Sequence, residues 1–194
     1  MTPPGLVERW FGPAFRQLHP RLQQLHREGG TLQGPVDIVT AAGVGGWLGR
    51  RLARRLGVPT FPGAHTLRVD IHDDGQALRW DRTFDAGHRF ASRFRPAGSY
   101  PTGYWVEHSG ALTLHLGVRI VDGGWEWEER GAWWHGVRWP AWARPSTRAG
   151  KRAEGEAYRF SVTFAWRGGQ PLLRYAGCLR MQSNRDAELT TPPP

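Results

Sequence analysis

The 194-residue chain has a single cysteine, Cys178, and a single lysine, Lys151, among its 26 basic residues. One thiol excludes an internal disulfide and any multi-thiolate metal site. No apolar run approaches the roughly 20 residues of a membrane-spanning helix. The start, MTPPGLVERWFG, lacks a basic stretch followed by an apolar one. No secretory signal is therefore expected, and a cytoplasmic protein is. There is no HExxH pair, no spaced Cys/His box and no GxSxG elbow, so no metal or cofactor is expected and nucleophilic hydrolase chemistry has no motif.

What the chain has instead is arginine, glycine and tryptophan. The formal net charge is +9. Its basic residues are spread out, with clusters only at Arg50, Arg51, Arg54, Arg55 and at Arg144, Arg148, Lys151, Arg152. A solvated basic surface is expected rather than a nucleic-acid footprint, which needs a concentrated patch. Six of the 11 tryptophans fall between Trp125 and Trp142. Tryptophan is large, rigid and costly to leave in water. That stretch must be core, cavity wall or binding surface.

The periodicity changes once along the chain. From Leu6 to His26 apolar residues recur at three- and four-residue spacing, which predicts a helix that Pro13 and Pro20 break or kink. Leu32 to Thr40 predicts a strand. Val44 to Leu56 predicts a second helix, with Val44, Trp47, Leu48, Leu52 and Leu56 on its core face and four arginines on its wet face. After Pro62 the alternation is period two, punctuated by turns such as Asp73-Asp74-Gly75 and Asp122-Gly123-Gly124. The segment 136–157 reads as a Pro-, Arg- and Gly-containing excursion.

Residues 1–182 are expected to form one domain, with 183–194 a disordered tail. The fold class is α+β, mostly β. It is an antiparallel curved sheet or barrel of about eight or nine strands with two N-terminal helical segments, and a β-sandwich is the alternative.

Several short motifs occur in a fixed order: LHP at 18–20, WDRTF at 80–84, VEHSG at 106–110, GVRWPAWARP at 136–145, YRFSVTF at 158–164 and YAGCL at 175–179. In that order and spacing the chain resembles the bacterial family known as domain of unknown function 4166, over about residues 10 to 182. The resemblance implies a bacterial origin and a shared fold. It brings no catalytic residues and no substrate.

The most chemically loaded position is Arg82. Period-two counting puts it on the inward face with Leu78, Trp80 and Phe84, where a charge must be paired or meet an anion. Its candidate protein partners are Glu107, Glu128 and Glu156. Trp80, Arg82, Phe84, Trp125, Trp127, Tyr158, Phe160 and Tyr175 are the candidate ligand-binding set. They would line an aromatic cavity for a hydrophobic or amphipathic anionic small molecule or lipid. An enzyme of cyclase or isomerase type, using a His/Glu pair in that cavity, is an alternative. So is an interaction module in which Trp139 and Trp142 form a lid or surface contact. Parity places Trp133 inward and Trp134 outward. Gly43-x-x-Gly46-x-x-Gly49 after a strand imitates a nucleotide loop, but the antiparallel remainder favours glycines that serve close helix–sheet packing.

Overall fold

The computed structural model describes residues 4–85, 87–166 and 171–182. The tail expected from residue 183 and the turn at Gly168-Gly169 lie outside the described residues. The N-terminal stripe divides into α1 (Leu6–Phe11), a 3₁₀ segment (Gly12–Gln17) and α2 (Pro20–Glu28). Proline is the cause. Pro20 can open α2, where no N–H is needed, but it cannot continue a preceding helix. His19 caps α2: its Nδ1 accepts the backbone N–H of Arg21 at 3.2 Å.

Strand β1 (Gly30–Thr40) leads into α3 (Gly43–Leu56). Then follow β2 (Gly63–Asp73), β3 (Leu78–Phe84), β4 (Arg89–Ala97), β5 (Tyr104–Ser109) and β6 (Leu112–Val121). The chain continues through β7 (Gly124–Trp134), the two-residue β8 (Val137–Arg138), β9 (Ser146–Glu154), β10 (Ala157–Ala165) and β11 (Pro171–Met181). Each of β1 to β7 pairs antiparallel with the next. The circuit continues through β9, β10 and β11 back to β1, and the β6–β7 ladder leaves no gap in it. The result is a closed antiparallel barrel of ten strands, with β8 an appendage on β7. Closure removes the edges of the ten barrel strands, which a sandwich would keep, and leaves, among the described residues, only the two-residue β8 with a free side.

The extra strand is β9, which the sequence reading leaves inside an excursion. Its inward positions are Thr147, Ala149, Lys151 and Ala153, too small or too polar to register as a hydrophobic alternation. A second correction concerns the end of β7. The register against β6 slips between His115 and Leu116, with Arg130 as the extra residue. A bulge of this kind reverses side-chain parity. Trp134, opposite Leu112, therefore joins the core, and Trp133 turns outward to pack on His115, with ring centroids 4.1 Å apart.

The two ends of the barrel are closed differently. Trp10, Phe11, Phe15, Leu18, Leu22 and Leu25 from the N-terminal segments are buried and plug one end. Trp10 meets Trp105 and Phe11 meets Trp125, at 5.3 and 5.5 Å between centroids. Each such side chain contributes roughly 1.5–3 kcal/mol by burial, so the plug belongs to the core. At the other end α3 lies against β11 with its small residues inward. Gly46, Gly49 and Ala53 are buried, whereas Val44 and Trp47 are 78% and 53% exposed. Of the face predicted as core, Val44, Trp47 and Leu48 therefore face water, whereas Leu52 and Leu56 pack against the core. A Cβ on Gly49 would fall onto the carbonyl oxygen of Leu172, and one on Gly46 onto that of Ala41, so the backbones approach too closely for any other residue. Thus Gly46 and Gly49 of the glycine motif serve packing, and Gly43 supplies a φ of 57° at the helix start.

Candidate functional site

The barrel encloses a cavity of about 130 Å³. Its apolar wall comes from alternate positions on the strands, among them Leu67, Val69, Ile71, Leu114, Leu116 and Val162. Trp80, Arg82, Trp127, Tyr158, Phe160 and Tyr175 of the predicted set also line it. Phe84 and Trp125 do not. Both are buried, but Phe84 packs beside Phe90 and Trp125 lies beneath the floor against Phe11 and His26. Trp139 is half-buried against Trp134, and Trp142 is 76% exposed on a 3₁₀ turn. That loop is tied to β7 by a buried ion pair between Arg144 and Glu129.

Two polar groups interrupt the apolar wall. The first is a relay across β3, β4 and β5. Arg82 donates from Nη1 to Ser92 Oγ at 2.8 Å, and the Ser92 and Ser109 hydroxyls are 2.6 Å apart. Ser109 donates to Glu107 Oε1 at 3.0 Å. Among the described residues Arg82 has no direct ion pair, so Glu107 compensates its charge through two hydroxyls. The guanidinium also lies over Phe90 and Trp80, 4.5 and 5.1 Å from their centroids. Of the three glutamates weighed from the sequence, the relay selects Glu107. Glu128 is near Arg119 and Glu156 pairs with Arg21, both outside the barrel.

The second group has no counterpart in the predicted set. Lys151 points inward from β9, and its Nζ lies 2.6 Å from His26 Nε2. The amine sits over Trp125 at 3.8 Å and over Trp80 at 4.5 Å. No carboxylate pairs with it among the described residues. Burial pushes the Lys151 ammonium well below the usual lysine range, and the Arg82 charge pushes the same way. Burial likewise drives His26 well below the usual imidazole range, with Lys151 adding to the effect. Cation–π attraction opposes this at roughly 2 kcal/mol per desolvated ring. The several kcal/mol needed to bury an unpaired ion outweigh it. Burial also holds the Tyr175 phenol high, pushed up to about 12; Arg82 opposes that shift and Glu107 adds to it.

The supposed basic cluster at 144–152 therefore dissolves: Arg144 is paired, Lys151 is interior, and Arg148 and Arg152 face out. The signal available in sequence was narrow. Thr147, Ala149, Lys151 and Ala153 alternate, and the chain's only lysine is among them. The histidine that reaches the cavity's polar wall, His26, does so through the amine of Lys151 rather than through a carboxylate, so the anticipated His/Glu contact is not what the barrel brings together. A larger depression of about 1130 Å³ lies outside the wall of β7, β9 and β10. It is open, and its charged side chains stand in water or pair with one another, as Arg119 does with Glu126. Glu126 and Glu128 thus belong to a solvated face.

No curated protein matches the sequence. Among solved structures, the chain is similar to the crystal structure of Rv2717c from M. tuberculosis, with a TM-score of 0.51 and 14% identity. The match covers 86% of this chain and 99% of that one. At that identity the likeness speaks for the barrel fold alone. The family described as "Domain of unknown function (DUF4166)" matches residues 18–179, and the chain belongs to it.

Proposed function

We propose that the barrel binds a small, largely apolar molecule with one polar or anionic head, held in the interior cavity. One observation carries this: a largely apolar cavity inside the barrel retains Arg82, Glu107 and Lys151 on its walls, where aliphatic residues would stabilise the fold better. Volume sets the size of the guest. A cavity of roughly 150 Å³ holds benzene, whereas drug- and lipid-sized ligands occupy roughly 300–1,000 Å³. The cavity of about 130 Å³ therefore suits a single ring or a short chain.

The test is thermal unfolding and tryptophan emission with benzyl alcohol, benzoate and palmitate. Ring-sized compounds at ten times their Kd should stabilise by about 1.4 kcal/mol, a rise of roughly 3–5 °C in Tm. Ala149→Leu, which fills the cavity from β9, should abolish the response. Silence toward both ring compounds up to their solubility would refute the proposal. A second proposal, contact of the 135–145 loop with a partner surface, is favoured by the exposed ring of Trp142.

A further inference from the structure

We propose that Lys151 is a reactive amine that captures a small aldehyde or ketone in the cavity as an imine. This rests on the cavity being a ligand site, and it names the chemistry of the guest. The argument begins with residue choice. Every other basic side chain in the chain is arginine. A guanidinium stays protonated in proteins and is not a nucleophile, whereas a buried lysine amine can lose its proton and attack a carbonyl. The one lysine also lines the floor of the cavity, with its amine against His26, Trp80 and Trp125 and no carboxylate to hold a proton on it among the described residues.

The surroundings fit that chemistry. Arg82 disfavours a second positive charge nearby, and the cavity around the amine is walled mostly by apolar side chains. His26 is fully buried and stacked on Trp125, with ring centroids 4.8 Å apart and planes at 11°. Its Nε2 is within hydrogen-bond reach of Nζ, and its Nδ1 has no partner among the described residues. In the neutral pair Nε2 accepts one N–H of the amine, which leaves the nitrogen lone pair free. The indole N–H of Trp80, a wall residue, is also buried without an acceptor among the described residues.

The reaction balances without a further reagent. The Nζ lone pair forms a C–N bond to the carbonyl carbon, and the C=O π pair moves to oxygen. His26 Nε2 takes a proton from the nitrogen and returns it to that oxygen, giving a carbinolamine. Loss of the hydroxyl with the remaining N–H proton releases one water and leaves C=N. The net change is one carbonyl compound plus one amine to one imine plus one water, with no oxidation or reduction.

Benzaldehyde with sodium cyanoborohydride at pH 7 tests this on the full chain, using intact mass and peptide mapping. The expected result is one benzyl group on Lys151. Each unit of lowered amine pKa gives about tenfold more neutral amine, so the rate should exceed that of urea-unfolded protein by at least about tenfold. Because the chain has one lysine, the α-amine is the only other primary amine, and the peptide map separates the two without relying on a variant. Lys151→Met should lose the label. Benzyl alcohol, which matches the probe in size but has no carbonyl, reads occupancy of the cavity in the unsubstituted chain. Labelling confined to the N-terminus, or no faster than in unfolded protein, overturns the proposal. If benzyl alcohol still perturbs tryptophan emission in that case, the cavity remains a ligand site and only the imine falls. If benzyl alcohol is also silent, both fall.

Discussion

Replacing Lys151 with methionine tests the electrostatics of the barrel interior directly. Methionine keeps the length and straight-chain shape of lysine and removes the titrating group. His26 on α2 and Arg82 on β3 face the amine, and Glu107 on β5, Tyr158 on β10 and Tyr175 on β11 share its cavity. Lys151 is held below the usual lysine range in the fold and regains it on unfolding. Between those two values the unfolded chain binds one more proton than the folded chain. Stability therefore rises with pH, by about 1.4 kcal/mol per unit for one proton. Between pH 7 and 9 His26 is neutral in both states, and subtracting the variant's profile from that of the wild type removes the titrations the two chains share.

Each pH unit of that window lying above the folded-state value of Lys151 should give the wild-type chain up to about 1.4 kcal/mol that Lys151→Met does not gain. With a urea m-value of about 2 kcal/mol/M, the difference between the two midpoints changes by up to roughly 0.7 M per pH unit. Urea unfolding at pH 7, 8 and 9 reads this directly. The variant should be the more stable at pH 7, and its advantage should shrink as pH rises. The lost hydrogen bond to His26 is a constant offset and does not affect the slope. Parallel pH profiles for the two proteins would show that Lys151 stays charged inside the barrel, and the reasoning would fail.

Other perturbations address separate parts of the structure. Gly49→Ala should destabilise by more than about 2 kcal/mol in thermal unfolding, although alanine ordinarily gains about 1 kcal/mol over glycine in a helix; a neutral or stabilising outcome would mean that α3 can lift off β11. Glu107→Gln should cost about 1–3 kcal/mol by leaving Arg82 uncompensated, and adding Arg82→Met should recover part of that loss. A double variant no more stable than Glu107→Gln alone would show that the serine relay is not an energetic unit. Trp142→Ala should change stability by less than about 0.5 kcal/mol, whereas Trp125→Ala should cost roughly 3–5 kcal/mol; similar values for the two would contradict their assigned environments.

The barrel was legible because most of its strands bury one face. Leu67, Val69 and Ile71, or Tyr158, Phe160, Val162 and Phe164, announce a period of two with no help from tertiary structure. Arg82 was legible for the same reason, since a charge in such a row has to be explained. Lys151 was not, because its row is Thr147, Ala149, Lys151 and Ala153, where small side chains leave room for the large rings of Trp80 and Trp125. Composition could not separate a solvated lysine from an enclosed one. Trp133 and Trp134 exchanged sides because parity counting assumes an unbroken ladder, and the bulge at Arg130 is a property of two strands together. The first half of the α3 face, Val44, Trp47 and Leu48, was misjudged because an apolar stripe usually outranks a glycine stripe, and here backbone proximity to Ala41 and Leu172 decided the orientation, while Leu52 and Leu56 kept their place on the core.

Charge balance separates the two kinds of guest that the cavity's chemistry allows. With Lys151 and His26 neutral, Arg82 and Glu107 offset each other and the interior carries no net charge. A carboxylate brought into that interior adds an uncompensated negative charge, and protonation of Lys151 is the local way to offset it. Anion binding would then take up a proton, and affinity would fall by about tenfold per pH unit above the free amine's pKa. Carbonyl capture requires the neutral amine, so its extent grows as the pH rises toward that same pKa. The two guests thus depend on one titration with opposite signs. Measuring benzoate affinity and benzaldehyde capture across the same pH series determines which of them the buried lysine serves. If neither varies with pH, Lys151 takes no part in recognition, and the relay of Arg82, Ser92, Ser109 and Glu107 is left as the polar determinant of the site.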